Sequence, residues 1–270
     1  MLKISNLTVS IENKLIIDNL DLEIPIGKKV AIMGPNGSGK STLSNIISGK
    51  PGYDIKSGSI KFEDTDILEI SPDERAALGI YMAFQYPVEI PGIANSSFLR
   101  TAINSIKKKN NEEPVNTRVF LDEINDIASK LGLDKSFLSR DMNTGFSGGE
   151  KKKNEILQLL LLKPKLCVLD EIDSGLDIDS LKIISRGISE YSNKKNSMLI
   201  ITHYQRLLDY VQPDEVHIFN HGRIVKSGNY DLVKVLEEKG YKEFSWMLLN
   251  DYLNKLKKTS LKELNKPWVK

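Results

Sequence analysis

Apolar and polar residues alternate at the start of the chain. Leu2, Ile4, Leu7 and Val9 are followed by Leu15 to Ile17 and Leu20 to Ile24, with polar breaks between them. A period of two predicts half-buried strands. Val30 to Met33 is instead a short unbroken apolar run closed by glycine. From Lys40 the spacing becomes helical, with Leu43, Ile46 and Ile47 on one side and Gly49 at the stop. Strand, glycine-rich loop and helix therefore follow in order. Ser59 to Phe62 and Ile80 to Phe84 read as further strands, with a short helix from Pro72 to Leu78 between them.

From about Asn95 to Leu162 helical periodicity dominates, Lys107 to Pro114 reads as a polar loop, and no clear strand is visible. The pattern predicts a helical subdomain inserted into an α/β core. After Pro164, Leu166 to Leu169 is a strand, Asp177 to Tyr191 a helix and Met198 to Thr202 a strand. Val216 to Phe219 and Arg223 to Lys226 form a hairpin around Asn220-His221-Gly222. The chain from Tyr230 onward reads as mainly helical, and no internal repeat is visible.

Composition narrows the function classes. The formal net charge of +2 over 270 residues gives no broad basic surface for nucleic acid. The lysine runs at 107–109 and 255–258 read as solvated patches. Cys167 is the single cysteine, so one chain makes neither an internal disulfide nor a cysteine-only iron–sulfur site. Met1 to Ser10 lacks a signal-peptide core, and no stretch approaches the ~20 apolar residues of a membrane helix. A soluble protein without direct membrane insertion is expected, in a bacterial cytoplasm or, given the Lys-, Asn- and Ile-rich composition, a plastid stroma.

The chemistry begins at Gly34-Pro35-Asn36-Gly37-Ser38-Gly39-Lys40-Ser41-Thr42, which matches the P-loop pattern. Glycines let backbone N–H groups curl around phosphate oxygens, and the following helix points its positive end at the same anion. Lys40 is expected to reach the β- and γ-phosphates of ATP, and Ser41 to ligate Mg²⁺. An ordinary glycine-rich turn predicts neither the lysine nor the hydroxyl. Leu166-Cys-Val-Leu-Asp170-Glu171 places two acids at the carboxyl end of a buried strand, where ligands of parallel sheets gather. Asp170 is expected to hold Mg²⁺ through water, and Glu171 to polarise the attacking water as general base.

Gln85 and His203 follow two more predicted strands. Gln85 is the candidate water or Mg²⁺ contact and His203 the candidate γ-phosphate contact, although a lone histidine is more often structural. Ser147-Gly148-Gly149-Glu150 has two readings: a capping box that needs no function, or an anion site of bare N–H groups at a helix start. The segment alone does not decide between them.

In order, the P-loop, Gln85, Ser147-Gly-Gly-Glu150, Asp170-Glu171, Ser174-Gly-Leu-Asp177 and His203 resemble the motif set of ABC ATPases, over about residues 1–240. The resemblance implies a P-loop core with a largely parallel sheet, an antiparallel β subdomain and a helical subdomain at about 95–163. A C-terminal helical extension at 241–270 would follow. It also implies that two copies face each other, with Ser147 and Gly149 touching nucleotide held by the partner and Asp177 at the contact. Within the class, Met82-Ala-Phe-Gln-Tyr-Pro-Val-Glu-Ile-Pro-Gly92, Gly145-Phe-Ser-Gly-Gly-Glu-Lys-Lys152 and Asp170-Glu-Ile-Asp-Ser-Gly-Leu-Asp-Ile-Asp179 are similar to the SufC family. That family comprises the ATPases of SUF iron–sulfur cluster assembly, whose partners are the scaffold proteins SufB and SufD. The ATP-hydrolysing subunit of a membrane transporter and a non-enzymatic nucleotide-gated adaptor are the competing readings; Glu171 argues against the latter.

Three features depart from the class. Ser10-Ile11-Glu12 offers no aromatic ring for adenine, and Ile172-Asp173 replaces the usual Pro-Thr or Ala-Thr. Residues 241–270, with Phe244, Trp246, Met247 and Leu248, have no counterpart; packing of a terminal helix on the core is the default. One of Lys151 to Lys153, close behind Ser147, is placed to pair with Glu171 and keep an isolated chain idle.

Overall fold

The computed structural model describes residues 1–244. Trp246, Met247, Leu248 and the rest of the expected extension lie outside the described residues. Phe244 is buried and joins the core, and Tyr241 packs against it.

The central sheet has six strands. They are β3 (Lys29–Met33), β6 (Ile80–Ala83), β9 (Leu166–Asp170), β10 (Ser197–Thr202), β11 (Glu215–Asn220) and β12 (Arg223–Gly228), in the order β12-β11-β3-β10-β9-β6. All neighbours are parallel except the β11–β12 hairpin. The short β-branched runs bury both faces, as parallel strands do. In β9, Leu166 and Val168 enter the core on one side of the sheet, while Cys167 and Leu169 enter the core on the other.

An antiparallel sheet covers the first face. It contains β1 (Leu2–Ile11), β2 (Lys14–Ile24), β4 (Asp54–Phe62) and β5 (Thr65–Asp66), in the order β2-β1-β4-β5. The polar breaks expected within β1 and β2 are irregularities of continuous strands rather than loops. Asn6 and Asn19 take left-handed backbone (φ 49° and 50°), and the register shifts beside them. Asparagine tolerates that conformation, so pairing resumes afterwards.

Helices cover the other face. α5 (Gly148–Leu162) and α6 (Ile178–Tyr191) pack closely, with α4 (Thr117–Lys130) and α3 (Asn95–Lys109) beyond α5. α3 runs through Lys109, into the segment read as a polar loop, because its last-turn lysines oppose the helix dipole. Lys107 pairs with Glu112 and Lys109 with Asp73. The helical region is not strand-free at its edge: β7 (Ile90–Ala94) pairs with β8 (Asp141–Met142). Shorter helices among the described residues include α2 (Pro72–Leu78), α7 (Gln205–Val211) and α8 (Asp231–Lys239). α1 (Lys40–Ser48) follows β3 directly across the P-loop.

Candidate active site

Register brings the chemistry together. Met33 lies beside Thr202, Ile201 beside Asp170, and Leu169 beside Ala83. Four strand ends therefore open at one edge of the sheet, carrying in turn the P-loop, His203, Asp170-Glu171 and Gln85. Ligands of parallel sheets collect at this edge.

The loop from Gly34 to Gly39 needs its glycines for two reasons. A Cβ on Gly34 would stand 2.1 Å from the Phe219 carbonyl oxygen, so no side chain fits there. Gly37 and Gly39 have φ of 76° and 107°, in the region L residues avoid. With no Cβ at these turns, backbone N–H groups can face an anion at the start of α1. Lys40 is buried and donates to the Gly34 and Pro35 carbonyl oxygens at 2.8 and 3.0 Å. Its ammonium is thus folded back over the loop. Burial lowers its pKa, opposed by the charges of Glu171 and Asp170.

Asp170 is tied to α1. It accepts from Ser44 Oγ at 2.7 Å and Ser41 Oγ at 3.3 Å, and burial raises its pKa. Ser44 escaped the sequence reading; its place one turn after Ser41 on the same face was the available signal. Glu171 takes left-handed backbone, φ 47°, while its N–H donates to the Ile201 carbonyl at 2.8 Å. That conformation costs a non-glycine residue about 1–2 kcal/mol. It turns the carboxylate toward two neighbours. Gln85 Nε2 donates to Glu171 Oε2 at 2.6 Å, and His203 Nδ1 lies 3.4 Å from Glu171 Oε1. Thr202 Oγ1 fastens the next turn through Asp173 Oδ1 and Oδ2 at 3.1 and 2.9 Å. The departure from Pro-Thr at 172–173 therefore has a use, as an acid that anchors this turn to β10.

The expected pairing of a lysine with the Glu171 carboxylate is not present. Lys151 pairs with Glu89 at 2.6 Å. Lys152 instead donates to main-chain carbonyls: Phe84 at 3.1 Å, Gln85 at 2.7 Å and Glu171 at 3.4 Å. Gln85 already holds the carboxylate, and the turned backbone offers Lys152 the carbonyl instead.

Ser147 and Gly149 stand apart from this group. Ser147 heads α5, and its hydrogen bonds stay within that first turn: Glu150 N–H donates to its Oγ at 3.3 Å, and its own N–H donates to Glu150 Oε2 at 2.7 Å. The capping box is real. It does not explain the two glycines. Neither has positive φ; a Cβ on Gly148 would meet nothing within 4 Å, and one on Gly149 would meet only Ser180 Oγ, at 3.5 Å. Glycine is a poorer helix former than alanine, and no packing among the described residues requires it at either position.

The donor set suits a hard divalent cation and a triphosphate. Ser41 and Asp170 supply oxygen donors at 3.3 Å from each other, and Gln85 supplies an amide. Ser38 Oγ and His203 Nδ1 are buried here with no hydrogen-bond partner among the described residues.

Residues 17–174, more than half of the chain, match the family model described as "ABC transporter". The "Probable ATP-dependent transporter SufC" of Escherichia coli K12 is 50% identical over 241 residues, covering 89% of this chain and 97% of its own. The chain belongs to the SufC family of ABC ATPases. The "Probable ATP-dependent transporter ycf16" of Trieres chinensis is 52% identical, again over 89% of this chain and 96% of its own. Among solved structures, a dimeric bacterial ABC transporter cassette, MJ0796, matches with TM-score 0.72 at 20% identity, over 85% of this chain and 99% of its own. This SufC-family chain is therefore an ATPase with the ABC fold. Among the described residues, no helix is long and apolar enough to cross a membrane.

Proposed function

We propose that the chain is the motor of SUF iron–sulfur cluster assembly, driving SufB- and SufD-like scaffold partners by ATP-dependent closure of two copies. In this reading residues 1–240 act as one ATPase domain, with the helical segment at about 95–163 inserted in it. Residues 34–42 cradle the phosphates of ATP. Lys40 leaves the Gly34 and Pro35 carbonyls for the β- and γ-phosphates. Ser41 and Asp170 hold Mg²⁺, with Gln85 nearby; when bound, the ion offsets the phosphate charge. Glu171 polarises the attacking water, and His203 contacts the γ-phosphate. Ser147 and Gly149 of a second copy complete the site, which accounts for glycines that their own chain does not need.

The observation that carries the partner assignment is the segment after Gln85. Tyr86 and Val88 are 82% and 67% exposed, with Phe84 and Ile93 also exposed beside them. Of these, Phe84 and Val88 line a 290 Å³ groove together with Arg75, Tyr81, Met82, Phe98 and Met142. Asn143 fixes the loop by donating to the Val88 carbonyl at 2.8 Å. Large apolar residues exposed on a fixed loop mark a partner surface. Cys167 is fully buried in β9, and burial pushes its thiol well above the usual range, which suits a motor rather than a cluster scaffold. The expected site of action is the cytoplasm, or the stroma of a plastid.

The relatives' name, ATP-dependent transporter, favours a second reading, the ATP-hydrolysing subunit of a transporter whose permease is a separate chain. Capture of the tagged full chain from its native source separates the two. Recovery of SufB- and SufD-like proteins is expected; recovery of a membrane permease in their place would overturn the assembly role.

A further inference from the structure

Glu155 is a fully buried carboxyl group that the hydrolytic scheme leaves unused. It sits on α5, eight residues after Ser147, and points under the end of β6. Its Oε2 accepts from the Phe84 N–H at 3.1 Å and from the Tyr81 hydroxyl at 3.2 Å, and its Oε1 accepts from Gln158 Nε2 at 3.2 Å. One helical turn earlier, Lys152 donates to the Phe84 and Gln85 carbonyls. An acceptor and a donor at i and i+3 share one helix face. Together they take the N–H on one side of Phe84 and the carbonyls on the other. The three successive peptide units from Ala83 to Tyr86 are thus clamped to α5, and Gln85 Nε2 reaches Glu171 from that clamp.

We infer that Glu155 is a positioning residue for hydrolysis: by holding the Phe84 N–H it fixes the backbone that aims Gln85 at the Glu171 carboxylate. This rests on the reading that Gln85 and Glu171 act on bound ATP. Burying the carboxyl group is costly, and removing it would take this acceptor from the Phe84 N–H, the Tyr81 hydroxyl and the Gln158 amide. Of these three donors, the Phe84 amide is the one whose backbone leads directly to Gln85. The arrangement also links the helix headed by Ser147 to the general-base candidate by a short path. Ser147 and Glu155 share α5, Glu155 holds Phe84, and Gln85 holds Glu171.

Two variants of the full chain test the role. Glu155→Met keeps the volume and helix preference but removes the acceptor, while Glu155→Gln keeps an oxygen for the Phe84 N–H. With Glu155→Met, kcat for ATP is expected to fall at least tenfold while KM for ATP changes less than twofold. Glu155→Gln should restore kcat to within threefold of the native value. A merely structural role would lower both variants alike, or shift KM with kcat. Either result, or a Met variant with native or raised kcat, overturns the inference. Amide hydrogen exchange on the unaltered chain decides the matter if Glu155→Met fails to fold: Phe84 must exchange at least 100-fold slower than an open amide, and free exchange there overturns the clamp. Glu171→Gln serves as the separate control. If it hydrolyses ATP at the native rate, the underlying reading is wrong whatever Glu155 does.

Discussion

Burial holds the Glu155 carboxyl far above its ordinary range, up to about 7 from 4.5, against the pull of the Phe84 N–H and Lys152. The groups facing it are Lys152 on its own helix, Tyr81 on β6 and Cys167 on β9, and burial lowers the Lys152 pKa in turn. A folded-state pKa above the unfolded value stabilises the fold fully below about pH 4.5, and this contribution is lost as pH rises through about 7. At 1.36 kcal/mol per unit, the swing is about 3 kcal/mol. Glu155→Gln removes the titration. Urea midpoints at pH 5 and pH 7.5 should show the native chain losing stability relative to the variant as pH rises; parallel behaviour would contradict the buried acid. This residue illustrates what the sequence concealed. Lys40, Ser41, Asp170 and Glu171 were legible because phosphate chemistry requires those types at that spacing. Glu155 and Ser44 were not, since an acid in an apolar helix and a serine in a P-loop helix acquire meaning only from what folds against them. The Lys152 pairing failed for the same reason: a sequence shows that a cation is near, not whether it meets a carboxylate or a carbonyl.

Among elements, α5, headed by Ser147, packs along α6. Gly187, inside α6, would place a Cβ 2.4 Å from Ile156 Cγ2 on α5, and Ile156 is fully buried. Helix preference alone would make Gly187→Ala stabilising by about 1 kcal/mol. Overpacking costs about 1–3 kcal/mol and acts in the opposite direction, so a net loss is expected. A lower urea midpoint at unchanged slope would show it; a higher midpoint would mean the helices part freely. Element types were read well wherever a strong period ran unbroken, as in β3, α1, β9 and α6. The errors fell where local chemistry overrode pattern. Asparagine bulges kept β1 and β2 continuous, dipole-opposed lysines prolonged α3, and β7–β8 pairing was invisible in segments of five and two residues.

At the scale of the whole molecule, one edge of the central sheet gathers the P-loop, Gln85, Asp170, Glu171 and His203, while Ser147 and Gly149 keep to the head of α5. The glycines at 148 and 149 head α5 where no close packing among the described residues requires them. A half-site of this form predicts that ATP joins two copies and that hydrolysis parts them. The most direct measurement is the mass of the Glu171→Gln chain by light scattering, with and without ATP and Mg²⁺. A monomer without nucleotide that doubles in mass with ATP, and returns to a monomer when Ser147→Arg is added to the same chain, is the predicted result. A chain that binds ATP stoichiometrically yet stays monomeric, or that doubles regardless of Ser147, would contradict a composite site.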